Sequence, residues 1–561
     1  MKKFSDLIDT SLAPPLLLAL MAFVAALPLF TPGWFWTHEE FSPLWRVIAL
    51  AEEMRAGDLY PRWLSASYLG KGSPFFNFYS PALHFIAAAL YAAGLPILAS
   101  IKIILGLLFF AGAWGMFLWV RRHAGLTGGM IAAILYLFVP YHFVDLYVRG
   151  AFAEFSALAA FPWVFIGIDR IIDEPDRSLG IIATACSTAA LLLCHQLSAL
   201  MIAPFAVLYG FDRLRHKGFS MKRFGKLCLA LFIAAGLSAF YWLPVIAEKK
   251  YLKDFSAALT TGGYNYANHF VWPSQWVSLA WGFGASVPGQ ADGMSFQIGP
   301  LLLICAVITF GVSFFMKKNG RRFALLTGCL GLAGVFLTSD YSSFIYRTVP
   351  ALPMIQFPWR FLGPATLFLA ASGGALGSLA VVERFKLLFI VILSVLLLFL
   401  SRDQRALNLP NVPISDLYAT SMMKMQWIGS ANAEDEYLPI WADRDIVYQR
   451  IDIRPLAHAG DITGVTSGGK KMAFVFTGIE PMSLVSIPWF YYPGWQAMVD
   501  GVPAPLATTP EGFICVSLPA GEHAVRVSFE STWPRKTGWT LALLSLSSLA
   551  VWSVYRVRKD R

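Results

Sequence analysis

The sequence predicts a multi-pass α-helical membrane protein of about 12 transmembrane helices with a C-terminal extracytoplasmic β-rich domain, and three observations carry that expectation. Of the 561 residues, 57% are hydrophobic and only 14% are charged, a balance that would leave a water-soluble fold with more apolar surface than it could cover. Apolar runs of spanning length recur along the chain, and short basic clusters fall at every second junction between them, the pattern of alternating crossings. Between about 401 and 537 the pattern changes to short alternating segments punctuated by turn residues, which reads as β-structure outside the bilayer.

The first run is Ala13 to Leu29, and Met1-Lys2-Lys3 ahead of it places the N-terminus in the cytoplasm. Nothing polar and secreted follows, so it reads as a retained anchor rather than a cleaved signal peptide. Further spans are expected at roughly 98–120, 126–140, 153–169, 179–194, 197–211, 225–246, 298–316, 322–338, 362–381, 386–400 and 538–555. The clusters Arg121-Arg122, Arg213 to Lys226, Lys317 to Arg322, Arg384 to Lys386 and Arg556 to Arg561 then share one side, with both termini cytoplasmic in a bacterial inner membrane. One more apolar stretch, Pro81 to Leu95, would reverse every later cluster if it crossed, so it is expected to lie as a helix at the outer interface.

This divides the chain into a polytopic domain over 1–400, with outer loops at 31–97 and 247–297, an extracytoplasmic domain over 401–537, and a last span with a basic tail over 538–561. The net charge of +10 is thereby absorbed as topology, which argues against nucleic acid as a partner. Five of the six cysteines fall inside apolar runs, and no disulfide framework or CxxC pattern is present. In the outer domain Val525, Val527 and Phe529 alternate with Arg526, Ser528 and Glu530, while Asp500-Gly501 and Pro519-Ala520-Gly521 mark turns. A β-sandwich-like unit over about Met472 to Glu530 follows.

The first outer loop carries the sharpest chemical signal. Trp34-Phe35-Trp36-Thr37-His38-Glu39-Glu40-Phe41 sets two adjacent carboxylates beside an aromatic belt, and carboxylates at membrane depth are costly and tend to have a task. Phe41, Leu44, Trp45 and Ile48 recur at helical spacing with Glu52, Glu53 and Arg55 behind them, predicting an amphipathic interfacial helix. Hydration of a helix end accounts for the acidic pair equally well. Tyr60-Pro61-Arg62-Trp63 and Pro74-Phe75-Phe76-Asn77-Phe78-Tyr79-Ser80-Pro81 complete the loop.

The order of these parts resembles the GT-C superfamily of polyprenyl-phosphate-dependent glycosyltransferases. Within it, His38 through Pro81 resembles the bacterial YfhO-type proteins and the membrane proteins described as related to 6-pyruvoyl-tetrahydropterin synthase. Their loop has an Asp where this chain has Glu39, and a second His that this chain lacks, so either glutamate can be the one that matters. Tyr147-Val148-Arg149-Gly150-Ala151-Phe152-Ala153-Glu154, His195, Gln356-Phe357-Pro358-Trp359-Arg360, Glu436-Tyr437-Leu438-Pro439 and Tyr492-Pro493-Gly494-Trp495 extend the resemblance over most of the chain. No His cluster that would support pterin chemistry accompanies the name.

The resemblance implies hexosyl or pentosyl transfer from a polyprenyl-phosphate-linked sugar donor to an envelope glycan, lipid or protein acceptor, among membrane lipids. Such a reaction needs a base for the acceptor hydroxyl and positive charge for the departing phosphate. Glu39 is the expected base with Glu40 as its alternative, and His38 could orient or assist it. Arg62, Arg149 and Arg360, with Glu154, are the candidates for the lipid-phosphate and donor site, because arginines on the outer face need an anionic partner. Pairing with Glu154, Asp145 or Asp340 would serve as well. Glu39 and Glu40 with His38 could hold a divalent cation, Mg2+ or Mn2+, although one His and two acids in sequence are a weak signature. Tyr264, Tyr266, His269, Trp272 and Trp276 could stack on sugar rings or anchor an interface. Two other classes compete: a transporter or flippase of lipid-linked sugars, which needs charge at mid-depth in the spans, and a non-catalytic envelope assembly factor, which would tolerate loss of both glutamates.

Overall fold

The computed structural model describes residues 12–253, 260–409, 437–447, 449–456 and 460–559. The expected positions of Met1-Lys2-Lys3, Glu436 and the last two residues lie outside these, as do the side chains from Ser553 onward, the basic tail among them.

Every apolar run singled out above is helical, but helix length separates them. Among the described residues six helices are long and apolar enough to cross a bilayer: Ala13–Phe30, Ile97–Leu137, Phe152–Asp173, Gln196–His216, Lys318–Thr338 and Pro358–Ser378. A seventh crossing arises if Met221–Leu237 and Ala239–Tyr251, bent by 71° at Ser238, count as one broken span. Leu179–Cys194, Pro300–Phe315 and Lys386–Leu400 are apolar but shorter, so the twelve expected spans are not twelve full-length helices. Ala82–Ala92, expected at an interface, is also too short to cross.

The 41-residue stretch Ile97–Leu137 is two helices. Gly125 breaks it with φ +73° and ψ −176°, a conformation that side chains disfavour. A Cβ built on Gly129 would meet Phe117, and one on Gly112 approaches Tyr136; contacts whose residue numbers sum to a near-constant define an antiparallel hairpin. Arg121 and Arg122 sit just before its tip, where the sequence places a junction between spans.

Among the described residues the C-terminal region forms two antiparallel sheets from nine strands. They are β1 (Arg454–Pro455), β2 (Gly460–Gly468), β3 (Lys471–Gly478), β4 (Ser483–Phe490), β5 (Trp495–Val499), β6 (Val502–Ala504), β7 (Leu506–Thr508), β8 (Phe513–Leu518) and β9 (Gly521–Phe529). One sheet has the order β1-β4-β8-β7 and the other β2-β3-β9-β5-β6. Val525, Val527 and Phe529 point inward and join Phe474, Phe476, Val485, Ile487 and Val516 in the core. Asp500 and Gly501 both take positive φ between β5 and β6, the backbone a tight hairpin requires.

This β-domain is seated on the first loop. Trp63 is buried against Trp495, Tyr492 and Phe529. Buried Lys71 donates to the carbonyls of Tyr68, Val447 and Gln449, and burial pushes its ammonium down to about 8. At the centre of the joint, Glu248 accepts from Arg535 Nη2 at 2.8 Å, Asn77 Nδ2 at 2.8 Å, Thr532 Oγ1 at 2.5 Å and Tyr492 Oη at 3.3 Å. The Tyr-Pro-Arg-Trp and Tyr-Pro-Gly-Trp motifs are thus the two sides of one contact.

Candidate active site

The acidic turn is held by its own backbone and by a neighbouring loop. His38 N donates to the Val148 carbonyl at 2.9 Å and Glu39 N to that of Arg149 at 3.2 Å. Glu40 N donates back to Thr37 O, and Ser42 N to Glu39 O, which closes the turn onto the helix Ser42–Arg55. Glu40 adopts φ +48°, a strained choice for a residue with a Cβ and one that clusters at functional sites. Gly150, at φ +69°, lies directly against this turn.

The helix Ser42–Arg55 corrects an expectation. It was expected to float amphipathically at an interface, but Ser42 through Val47, Ala49 through Ala51 and Glu53 are all buried in protein. Its period of apolar residues reads the same whether the apolar face meets lipid or other helices, and here Ala82–Ala92 and the hairpin pack against it.

That burial encloses Arg46, a residue the sequence analysis passed over. It is 1% exposed, and its Nη2 meets Glu39 Oε2 at 3.0 Å. Its Nη1 donates to Tyr79 Oη at 3.2 Å, and its guanidinium lies over the rings of Tyr79 and Phe75. The signal was a charged residue inside an apolar helical stripe, two turns beyond Glu39. Glu39 is therefore one-third exposed yet tethered by a rigid cation.

His38 Nε2 lies 3.1 Å from the Phe283 carbonyl, on the far side of the turn. Burial pushes its imidazole below the ordinary value; the Arg149 charge adds to this, and the Phe283 carbonyl opposes it. Trp36, His38, Glu40, Val148, Phe283 and Asn408 line an open cavity of about 210 Å³ beside the acidic turn.

Arg149, Arg360 and Glu154 form one buried cluster immediately behind. Arg149 pairs with Asp145 and with Glu154 Oε2 at 2.9 Å, and lies over the Trp359 ring. Arg360 Nε approaches the same Glu154 oxygen at 3.2 Å, while Arg360 Nη1 donates to Ile355 O and Gln356 Oε1. Tyr141 Oη donates to Glu154 Oε1 at 2.5 Å. Both arginines thus have the acidic partners that the pairing alternative required. Asp340 is not among them.

Arg62 is placed elsewhere. Its Nη1 donates to Asn77 Oδ1 at 3.1 Å and its Nη2 to the Phe240 carbonyl, in the joint beneath the β-domain. Loop residues rich in flat side chains are also mostly engaged. Tyr266 stacks on Tyr346, His269 bridges Ser286 and the Gly263 carbonyl, and Trp276 donates to Thr338. A cation on Glu39 and Glu40 does not suit the donor set, since Arg46 occupies a Glu39 oxygen and no trio of His, Cys, Asp and Glu that could hold a metal occurs among the described residues.

The profile of the family described as "6-pyruvoyl-tetrahydropterin synthase related domain; membrane protein" matches residues 76–398, more than half of the chain. The chain belongs to this family of membrane proteins. Its matched stretch runs from the Phe-Asn-Phe-Tyr motif through the cluster around Glu154 to the helix Lys386–Leu400. No curated protein matches the sequence. Similar solved structures include the arabinofuranosyltransferase AftD from Mycobacteria, at 13% identity and a TM-score of 0.42 over 72% of this chain and 27% of that one. ArnT from Cupriavidus metallidurans, solved bound to undecaprenyl phosphate, is similar at 12% identity and a TM-score of 0.29 over 66% of this chain and 79% of that one. The chain spans only about a quarter of AftD's length.

Proposed function

We propose that this family member is an inverting GT-C-type glycosyltransferase, which takes a sugar from a polyprenyl-phosphate donor to an envelope acceptor at the outer face of the bacterial cytoplasmic membrane. The observation that carries the reading is the tethered Glu39 carboxylate: partly exposed, fixed by Arg46, and in a turn hydrogen-bonded to the backbone of Arg149. Arg46 engages Oε2, leaving Oε1 to accept the acceptor's proton. The acceptor oxygen then bonds to the anomeric carbon as the bond from that carbon to phosphate oxygen breaks, and the polyprenyl phosphate departs with the electron pair.

Arg149 and Arg360 are the proposed grip on that phosphate, since their shared carboxylate partner Glu154 lies directly behind the acidic turn and a phosphate could draw on the same guanidinium pair. His38, its imidazole value lowered by burial, would orient the acceptor at the cavity mouth, with Glu40 lining it. Arg62 would act through the joint rather than on the donor.

Charge placement favours an enzyme over a carrier. In Phe152–Asp173 the acidic residues Glu154, Asp169 and Asp173 fall towards the two ends and leave the middle apolar, whereas a carrier needs charge at mid-depth. The test is reconstituted protein incubated with a panel of polyprenyl-phosphate sugars, with released lipid phosphate as the readout. Wild type should release it, and Glu39→Gln should lose on the order of 10²-fold or more, the usual contribution of a general base, while inserting normally. Undiminished release by Glu39→Gln would sink the assignment.

A further inference from the structure

A second charged cavity lies at the other end of the helices. Glu154 and Asp173 are nineteen residues apart on one helix, which is roughly 28 Å along its axis at 1.5 Å per residue. At the Asp173 end, Arg122, Asp173, Arg213, His216, Lys217 and Arg322 line an open cavity of about 240 Å³ with Phe323 at its base. Three of the basic clusters that the sequence sets far apart therefore converge on one hollow.

The lining of this hollow sets four cations, Arg122, Arg213, Lys217 and Arg322, against two carboxylates, Asp173 and Asp212. Asp173 is shared by three cations: Arg213 Nη2 at 2.9 Å, Lys217 Nζ at 3.2 Å and Arg122 Nη2 at 3.7 Å. Asp212 is committed to Arg322, Asp169, buried below, to His123 and Arg213, and Glu174, outside the lining, to Arg122 Nη2 at 2.8 Å. Arg122 Nε is buried without an acceptor, and an orphaned guanidinium donor is costly unless something pairs with it. His216, half-buried on the wall, has no protein partner among the described residues. Cations crowding one carboxylate, with an unmet donor and an open mouth, call for more negative charge carried by oxygen acceptors.

We infer that this hollow, formed where Arg122, Arg213, Lys217 and Arg322 meet at the end of the helices remote from the β-domain, binds a phosphate group. The ligand is a phosphate mono- or diester, supplied either by an anionic lipid headgroup or by a soluble phosphate. A headgroup would enter beside the exposed apolar flank that Phe314 and Phe315 present near the same end. The site is independent of the transfer chemistry proposed above.

The experiment uses full-length protein in detergent, with native mass spectrometry to count bound phosphatidylglycerol against phosphatidylcholine. Thermal unfolding with added inorganic phosphate or glycerol phosphate forms the second arm. Wild type should retain phosphatidylglycerol over phosphatidylcholine or be stabilised by the soluble phosphates, the first outcome assigning a lipid and the second a free ligand. The double variant His216→Ala with Lys217→Ala, chosen because both side chains reach solvent and bear little of the fold, should weaken the effect at least fivefold. Lys222→Ala, an exposed lysine on Asp176 outside the hollow, is the control and should leave it unchanged. Equal retention of both lipids with no stabilisation by phosphate, or equal losses in the double variant and the control, would overturn the site.

Discussion

Replacing Gly150 by Ala tests the acidic turn without touching a charged group. A Cβ at this position would stand 2.3 Å from Thr37 Oγ1, 2.9 Å from Thr37 Cβ and 3.2 Å from Glu39 Cβ. Ordinary contact begins at 3.4 Å, so the Thr37 hydroxyl must turn aside or retreat by about 1.1 Å and the Thr37 Cβ, fixed to the backbone, by about 0.5 Å. Thr37 is buried and hydrogen-bonded through its carbonyl to Glu40 N, so the turn has to move as a unit and carry Glu39 with it. The left-handed backbone adds about 1–2 kcal/mol for any residue with a Cβ, and overpacking adds about 1–3 kcal/mol. A displacement near 1 Å at a reacting group costs on the order of 10²-fold in rate. The expected outcome is a protein that inserts and purifies, unfolds somewhat earlier, and releases lipid phosphate about a hundred times more slowly. Gly311→Ala, where the added carbon meets nothing within 4 Å, is the matched control. Wild-type release by Gly150→Ala at wild-type stability would show that the position of the turn does not matter to the reaction, and the reasoning from Glu39 would fall with it.

Other outcomes follow from the same geometry. Glu248→Gln removes the charge facing buried Arg535, and an uncompensated buried arginine costs about 3–5 kcal/mol. The variant should release its β-domain to limited proteolysis at temperatures where wild type resists, and a loss below about 1 kcal/mol would refute the view that this carboxylate holds the joint. On the β-domain surface His523 Nδ1 meets Asp500 Oδ2 at 2.6 Å, which raises the imidazole above its ordinary value and lowers the carboxyl. The stabilisation from the raised histidine is complete below the unfolded imidazole value and is lost as pH rises through the folded one. Acid removes the aspartate's share as pH falls through its lowered value. Carbethoxylation of His523 followed by mass spectrometry should therefore show a midpoint above that of a free histidine, returning to normal in Asp500→Asn.

Much of the membrane architecture was legible because hydropathy and turn chemistry act locally. Leu-rich runs became helices, Gly125 broke the expected junction, and Asp500-Gly501 made its hairpin. Helix length was not legible, since Ser238 breaks the run 225–246, whose composition alone looks continuous, and since several apolar runs stop short of a full crossing. The site was half legible. Adjacent carboxylates and arginines on the wrong side of the charge pattern drew attention to Glu39, Arg149 and Arg360, and the fold brings their loops together. Arg62 shares the same sequence signal but serves a different contact, because spacing along a chain says nothing about which partner a long side chain will find. Arg46 was missed for the converse reason: the aromatic walls that complete its buried surroundings beside Glu39 come from Phe75 and Tyr79, about 30 residues later.

The joint beneath the β-domain also constrains how the protein can be made. Two of the donors to Glu248, Thr532 and Arg535, follow it by nearly 290 residues and are synthesised after strand β9. Until they emerge, Asn77 and, after residue 492, Tyr492 are the donors among the described residues that can meet that carboxylate. The helix Trp533–Lys559 therefore works as a late clasp: a nascent chain that has reached only Phe529 holds β9 and the Trp63 and Lys71 contacts but lacks the two donors that complete the joint.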